Sequence, residues 1–173
     1  MSGAKSAQVV GDMNATTAKL TSIRTYADKI NEDNAASISP EDPYAPLVPK
    51  KISLGLHDLN PLISTSLEHA GGMQEVPAGP EGETIYEAFR DYVKAYRDLL
   101  EILTARVTEF STFPIVGSHI ANPLRSQDSM NVALWLTIKG KVPSKSTDFE
   151  NQGESLRDTM EEAIEAHSGE LYS

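Results

Sequence analysis

Four histidines, His57, His69, His119 and His167, are the side chains best suited to proton transfer or metal binding, and no two stand three or four residues apart. A metal pair on one helix face needs that spacing, so no metal site is expected. His57 and Asp58 are adjacent, but neighbours on a helix point about 100° apart. Cysteine is absent, which excludes disulfides, thiolate ligands and a cysteine nucleophile. There is no G-x-S-x-G, no H-E-x-x-H, no P-loop and no Rossmann glycine pattern. No catalytic residue and no cofactor is expected, and the chain reads as not an enzyme.

The polar groups that stand out lie where apolar ones belong. Gln127 and Asn131 fall on the apolar stripe of one helical segment, and Tyr92 and Tyr96 on that of another. A buried amide without a partner costs about 1–3 kcal/mol. These amides must therefore bond each other, a water or a neighbouring backbone, or else meet the polar head of a bound amphiphile. Each tyrosine offers an apolar body with a hydroxyl end for the same task. Trp135, beside the stripe, reads as core packing.

These residues are positioned by helices. Val9, Met13, Thr16, Leu20, Ile23, Ala27 and Ile30 step by fours and threes, the mark of one stripe on a helix from about Ser6 to Asn34. In "ASISPEDPYAPLVPKK", Pro40, Pro43, Pro46 and Pro49 spell an extended connection, since prolines every three residues cannot be helix interior. Ile52, Leu56, Leu59, Ile63, Leu67 and Ala70 mark a second helix. Asn60-Pro61 is either a kink within it or the cap of a new one, and the unbroken phase of the stripe favours the kink. "GGMQEVPAGPEG" ends that segment.

A third helix carries Ile85, Phe89, Tyr92, Tyr96, Leu99, Leu103 and Phe110, with Val107 beside the seam, before a corner at Phe113-Pro114. The fourth carries Ile120, Leu124, Gln127, Asn131, Leu134 and Ile138, stopped by Gly140 and Pro143. The fifth, capped by Ser146 or Thr147, carries Phe149, Leu156, Met160, Ala163 and His167. The expected spans are near 15–30 (the first stripe extending over 6–34), 50–70, 83–111, 116–139 and 146–168. No stretch alternates with period two. The expected fold is all-α, an antiparallel bundle of about five helices with a proline-rich crossover between helices 1 and 2. Its domain is expected over 6–168, between a flexible N-terminus at 1–5 and a C-terminal tail at 169–173.

With 173 residues and 39% hydrophobic content, one domain can bury most of its apolar surface unaided. The net charge of −10 and the lack of a Lys/Arg cluster argue against nucleic acid and against an anionic membrane. Acid collects in 148–173, which reads as a solvated helix face. Charged pairs such as Glu87 with Asp91 read as ordinary surface. No apolar run approaches the roughly 20 residues of a transmembrane span. The start "MSGAKSAQVV" has no apolar h-region and reads as something other than a signal peptide. The chain is thus expected to be intracellular or in mature form. Asn14-Ala15-Thr16 is a glycosylation triplet, relevant only to a secreted chain.

Three stretches carry a resemblance. "VVGDMNATTAKLTSIRTYADKI" looks like the first helix of the fungal hydrophobic surface-binding protein A and cell-wall galactomannoprotein (antigenic mannoprotein) family. "YEAFRDYVKAYRDLLEILTARVTEFSTFPIVGSHIANPLRSQDSMNVALWLTIKGKVP" is similar to its middle, where a long helix ends in a Phe-containing turn with Pro and Gly. "FENQGESLRDTMEEAIEAHS" is similar to its closing helix. The resemblance spans 6–168. It implies a secreted or wall-attached helical bundle, of which some members bind fatty acids between the helices and others adsorb to hydrophobic surfaces and recruit hydrolases.

The leading expectation is a non-enzymatic protein that holds a long-chain fatty acid or similar amphiphile inside the bundle. Its lining would be Leu56, Ile63, Phe89, Tyr92, Tyr96, Leu99, Leu103, Leu124, Gln127, Leu134, Leu156 and Met160. Phe110, Phe113 and Pro114 would close one end. The alternative is an interaction protein with a fully packed core that binds a hydrophobic surface or a partner protein through its outer face. Expected contacts also include a hydrolase or cell-wall partner and a second copy of the chain. The resemblance implies a secreted or cell-wall location, with a cytoplasmic one left open by the missing signal peptide.

Overall fold

The computed structural model describes residues 2–29, 47–110 and 116–168. Five long helices make up most of it: α1 (Ser2–Ala27), α2 (Leu47–Gly71), α3 (Pro80–Ala105), α4 (Val116–Lys141) and α5 (Ser146–Ser168). A helical turn, Val107–Phe110, follows α3, and a 3-10 turn, Pro143–Lys145, leads into α5. Among the described residues there is no strand. The all-α bundle expected from the stripes is the fold.

Each long helix packs against two others, which closes a ring in the order α1, α2, α4, α5, α3. Successive helices run in opposite directions. Asp12 Oδ2 meets His69 Nδ1 at 2.6 Å while Lys19 Nζ meets Asp58 Oδ2 at 3.2 Å, so α1 and α2 are antiparallel. Lys139–Glu150 at 3.0 Å and the Arg125–Ser168 hydrogen bond set α4 against α5 in the same way. The ring order then places α1, α3 and α5 side by side and parallel. Arg24 Nη1 to Asp98 Oδ2 at 3.2 Å ties α1 to α3, and Arg97 Nε donating to Thr159 Oγ1 at 3.2 Å ties α3 to α5. The end with the N-termini of α1, α3 and α5 is here the lower end.

The inward stripes are those read from the sequence. Val9, Met13, Thr16, Leu20 and Ile23 of α1 are buried, as are Ile52, Leu56, Leu59, Ile63 and Ala70 of α2, while Leu67 is half-buried. The seams of α3, α4 and α5 are buried from Ile85 to Leu103, Ile120 to Ile138 and Phe149 to His167. The acidic run of α5 lies mainly outward, with Glu150 and Glu161 paired to Lys139 and Arg157.

The boundaries differ from expectation in instructive places. α1 begins at Ser2, inside the stretch expected to be flexible, and ends at Ala27, short of Asn34. Pro49 lies in the first turn of α2 rather than in the connection. A helix leaves its first N–H groups without intrahelical partners, so a proline there loses nothing. Pro61 stands inside one continuous α2. α3 starts at Pro80, not 83, behind Gly79 at φ 150°, a value glycine adopts without strain. It does not run unbroken to Phe110 but is interrupted at Arg106. Gly140 does not stop α4, which continues to Lys141. Ser146 is not an isolated cap, because the 3-10 turn runs into it in helical conformation. Ile30, Pro40, Pro43, Pro46, Phe113, Pro114 and residues 169–173 lie outside the described residues.

Pro123 within α4 has a consequence for packing. It cannot donate to the carbonyl four residues back, and Ser53 Oγ of α2 donates to that His119 carbonyl at 3.3 Å. Glycine permits two close approaches. A Cβ at Gly55 would lie 2.8 Å from Ile23 Cγ1, and one at Gly153 would enter the Trp135 ring. Helix α5 thus needs glycine where the indole lies flat on it.

These contacts set an expectation for two alanine substitutions. Gly153→Ala should destabilise the bundle by about 1–3 kcal/mol through overpacking, despite the gain in helix propensity. Gly11→Ala, on an exposed face of α1 with nothing within 4 Å of the new Cβ, should stabilise by about 0.5–1 kcal/mol. Urea unfolding of both variants beside the parent measures the two signs.

Candidate ligand-binding site

The residues expected to line the interior are all buried, and the ring brings them together. Leu56 and Ile63 come from α2, Phe89, Tyr92, Tyr96, Leu99 and Leu103 from α3, Leu124, Gln127 and Leu134 from α4, and Leu156 and Met160 from α5. The expected lining omitted α1, whose Met13, Leu20 and Ile23 are equally buried. Their signal was already in the stripe of fours and threes.

The interior divides into three levels. The lower level gathers the aromatic rings, beside buried aliphatic residues such as Met13 and Leu134. Phe149 of α5 meets Tyr86 edge-on with ring centroids 5.6 Å apart and meets Phe89 at 5.4 Å. Phe89 stacks on Tyr92 at 6.0 Å, and Tyr92 meets Tyr96 edge-on at 5.4 Å. The upper level is aliphatic, with Leu99, Leu103, Ile23, Ile52, Ile120 and Leu124 buried. Between them lies a polar belt that crosses the ring from α3 to α4. The Tyr92 hydroxyl donates to Asn131 Oδ1, and the Tyr96 hydroxyl donates to Gln127 Oε1. Gln127 Nε2 donates to the Leu56 carbonyl at 2.6 Å and to Asn60 Oδ1 at 3.0 Å.

Gln127 is thereby saturated, whereas Asn131 is not. Its Nδ2 is buried and has no hydrogen-bond partner among the described residues. Trp135 Nε1 and Glu81 Oε1 share that condition. The Trp135 donor and the Asn60 acceptor were missed in the sequence. Asn60 enters the sequence reading only with Pro61, as a kink or a cap, and an unpaired indole N–H has no sequence signature.

Burial pushes the Tyr92 hydroxyl well above the ordinary tyrosine range, with Tyr96 adding to the effect. Tyr96 is raised in the same way, chiefly by desolvation; the Asn131 amide pulls in the opposite direction and Asp128 adds to the rise. Both are therefore neutral donors rather than bases. Asn131 influences Tyr96 without a hydrogen bond of normal geometry from its Nδ2.

The upper end is closed from inside. Phe110 is fully buried and meets the His167 ring edge-on at 5.7 Å. His167 Nε2 lies 2.7 Å from the Leu103 carbonyl, so the neutral ring carries its proton on that nitrogen. The bond falls where α3 is interrupted at Arg106 and gives a last-turn carbonyl a partner.

Two surface grooves, of about 290 and 300 Å3, lie along α1 and α3. No expected lining residue borders either one. Among the described residues, no three His, Asp or Glu side chains come together as metal ligands, and no helix is long and apolar enough to cross a membrane.

No protein-family model and no curated protein matches the chain. Solved structures do match its fold. Ligand binding domain 2 of the Penicillium marneffei MP1 protein, in complex with arachidonic acids, superposes with a TM-score of 0.75 at 12% identity, covering 96% of this chain and 94% of that one. Ligand binding domain 1 of the same protein, complexed with arachidonic acids, gives a TM-score of 0.65 at 16% identity, covering 91% of this chain and 99% of that one. A second structure of domain 2, complexed with multiple arachidonic acids, gives 0.62 at 13% identity, with 96% of each chain covered. At these identities the likeness is one of fold.

The environment of His167 sets a pH dependence. Burial lowers its pKa below 6.5, and the bond to the Leu103 carbonyl offsets this only in part. Below pH 6.5 the unfolded chain therefore binds a proton that the folded chain resists, and stability falls with pH until the folded value is passed. Denaturant unfolding at pH 7.5 and at pH 5 should show that loss. His167→Gln, which keeps a donor for the carbonyl, should flatten it.

Proposed function

We propose that this chain is a non-enzymatic binding protein that takes up a long-chain fatty acid or similar amphiphile between its helices. The observation that carries the reading is the interior itself. One ring of five helices encloses an aliphatic half and a polar belt that can meet a head group. Support comes from the likeness in fold to domains solved in complex with arachidonic acids. The resemblance to the fungal surface-binding and cell-wall galactomannoprotein family belongs to the same reading, with a secreted or cell-wall location and Asn14, exposed on α1, as a glycosylation acceptor.

The energetics permit it. Burying a dozen methylenes at about 0.8 kcal/mol each contributes roughly 10 kcal/mol. Association and ordering of the chain take back several kcal/mol, leaving an affinity on the order of micromolar.

A second reading rests on a specific observation. The belt joins α3 to α4 through the chain's own side chains. A bundle closed in this way could serve as a packed scaffold whose outer face binds a hydrophobic surface, a hydrolase, a cell-wall partner or a second copy. Organic extraction and mass spectrometry of protein purified from a lipid-containing host separate the two readings, since only the first predicts stoichiometric lipid.

Calorimetric titration of the delipidated chain with palmitate and with arachidonate tests the first reading directly. Leu103→Trp, at the centre of the aliphatic level, should weaken binding about tenfold or more by overfilling the space while the helical circular dichroism persists. Absence of binding by either acid, or an unchanged affinity in Leu103→Trp, counts against an internal site.

A further inference from the structure

Asn131 and Trp135 stand one helical turn apart on α4, a spacing that puts their Cβ atoms about 5–6 Å apart on one face. Both side chains are more than nine-tenths buried, at 5% and 7% exposure. Each ends in an N–H donor, Nδ2 and Nε1, without a hydrogen-bond partner among the described residues. Two orphan donors one turn apart are uncommon, because an unpaired buried donor gives up its bond to water for nothing. The acceptors at this level are engaged. Asn131 Oδ1 accepts from Tyr92, Gln127 Oε1 accepts from Tyr96, and Asn60 Oδ1 accepts from Gln127.

The groups wholly without a bond at this level are both donors, while each amide oxygen already accepts one hydrogen bond. A head group that only accepts hydrogen bonds would satisfy both donors, whereas an ammonium head would leave both unpaired and meet only oxygens already engaged in one hydrogen bond. The indole is also held in place, since its ring lies against Gly153, where any Cβ would strike it. The aromatic ladder of Phe149, Phe89 and Tyr92 shares the lower level with buried Met13 and Leu134, whereas the upper level along Leu99 and Leu103 is aliphatic and offers an acyl chain side chains that move without breaking ring contacts. Tyr92 to Leu103 is about 17 Å along α3.

We propose that Asn131 Nδ2 and Trp135 Nε1 together receive the head of the bound amphiphile, and that this head is an oxygen acceptor, a carboxylate or an ester carbonyl. The tail lies toward Phe110. This assignment rests on the reading of the interior as a fatty-acid site and adds to it the chemistry of the head and its direction.

Trp135 is the only tryptophan in the chain, so its indole N–H gives a single resonance. The test is a proton–nitrogen NMR titration of the whole delipidated protein with palmitate, methyl palmitate and hexadecylamine, with calorimetry in parallel. Palmitate and methyl palmitate should both shift the indole N–H downfield, and hexadecylamine should bind at least tenfold more weakly than the ester. Trp135→Phe removes one donor and keeps most of the ring. Asn131→Asp keeps the acceptor for Tyr92 and removes the other donor. Each should weaken palmitate about tenfold, as expected for one hydrogen bond to a charged group. Asn131→Asp should also weaken the uncharged ester, which charge repulsion alone would not do.

If palmitate binds but the indole resonance stays in place and both variants keep the parent affinity, the head lies elsewhere and only the fatty-acid reading survives. Hexadecylamine binding as tightly as the ester also overturns the assignment. If none of the three binds, this assignment and the fatty-acid reading fall together.

Discussion

A ring of five helices leaves a central space that no neighbouring pair can fill by packing on each other alone. Everything else in this bundle follows from what occupies that space. Here α3 supplies the largest share of the filling, because Phe89, Tyr92, Tyr96, Leu99 and Leu103 recur at threes and fours and are all buried. Large aromatic bodies fill volume well, but a tyrosine brings a hydroxyl into a place without water. That hydroxyl needs an acceptor, and α4 provides one for each. The tyrosines are four apart, the amides Gln127 and Asn131 are four apart, and the opposed directions of α3 and α4 pair the first with the last. Two hydrogen bonds thus fix the axial register of helices that are not neighbours in the ring.

The stripes made the fold legible. Steps of three and four identified five helices and most of their buried residues, because burial on a helix is a one-dimensional pattern, but passed over flanking positions such as Val93, Leu100 and Ala121. The ends were less legible because they depend on a few local bonds. Pro49 and Pro80 looked like helix breakers, yet both sit in first turns where a missing N–H is harmless. The interruption of α3 at Arg106 has no composition signal, and His167, which bonds the Leu103 carbonyl there, lies sixty-four residues from Leu103 on another helix. Of the interior, the buried residues and the four polar side chains of the belt could be read, but not the bonds that pair them or the ring order. That order decides that Gln127 is saturated by α2 while Asn131, one turn away, keeps a free donor.

The two ends of the bundle are built differently. At the lower end, acidic first turns alternate with basic last turns. Glu81, Glu83 and Asp148 sit at the starts of α3 and α5, and Lys139 and Lys141 at the end of α4, each favourable to the helix dipole beside it. Lys145 bridges Glu83 at 2.7 Å, and the Val76 N–H donates to the Lys141 carbonyl at 2.7 Å. Met73, Val76 and Val142 are buried beneath them. This end is sealed by charge, backbone and apolar contact together. At the other end, among the described residues, Phe110 meets His167 edge-on and Lys51 lies over the Tyr26 ring.

That contrast bears on how a filled interior could admit a guest, as the proposed function requires. Opening the lower level would separate a continuous aromatic ladder and remove its packing and ring contacts together, each pair contributing about 0.5–1.5 kcal/mol beyond its buried area. Rearranging the belt costs less. A buried hydroxyl loses little if one acceptor replaces another, because the net value of the bond depends on its being made and not on which oxygen accepts it. An oxygen of a guest that takes the Tyr92 proton in place of Asn131 leaves the count of hydrogen bonds unchanged, and each orphan donor it meets raises the count by one. The aliphatic side chains above can move among rotamers without giving up a polar bond. Met160, unbranched and fully buried, is the most adaptable of them. The belt can therefore hold the bundle in register when its interior is closed and exchange partners when an acceptor arrives, while the aromatic level below stays intact.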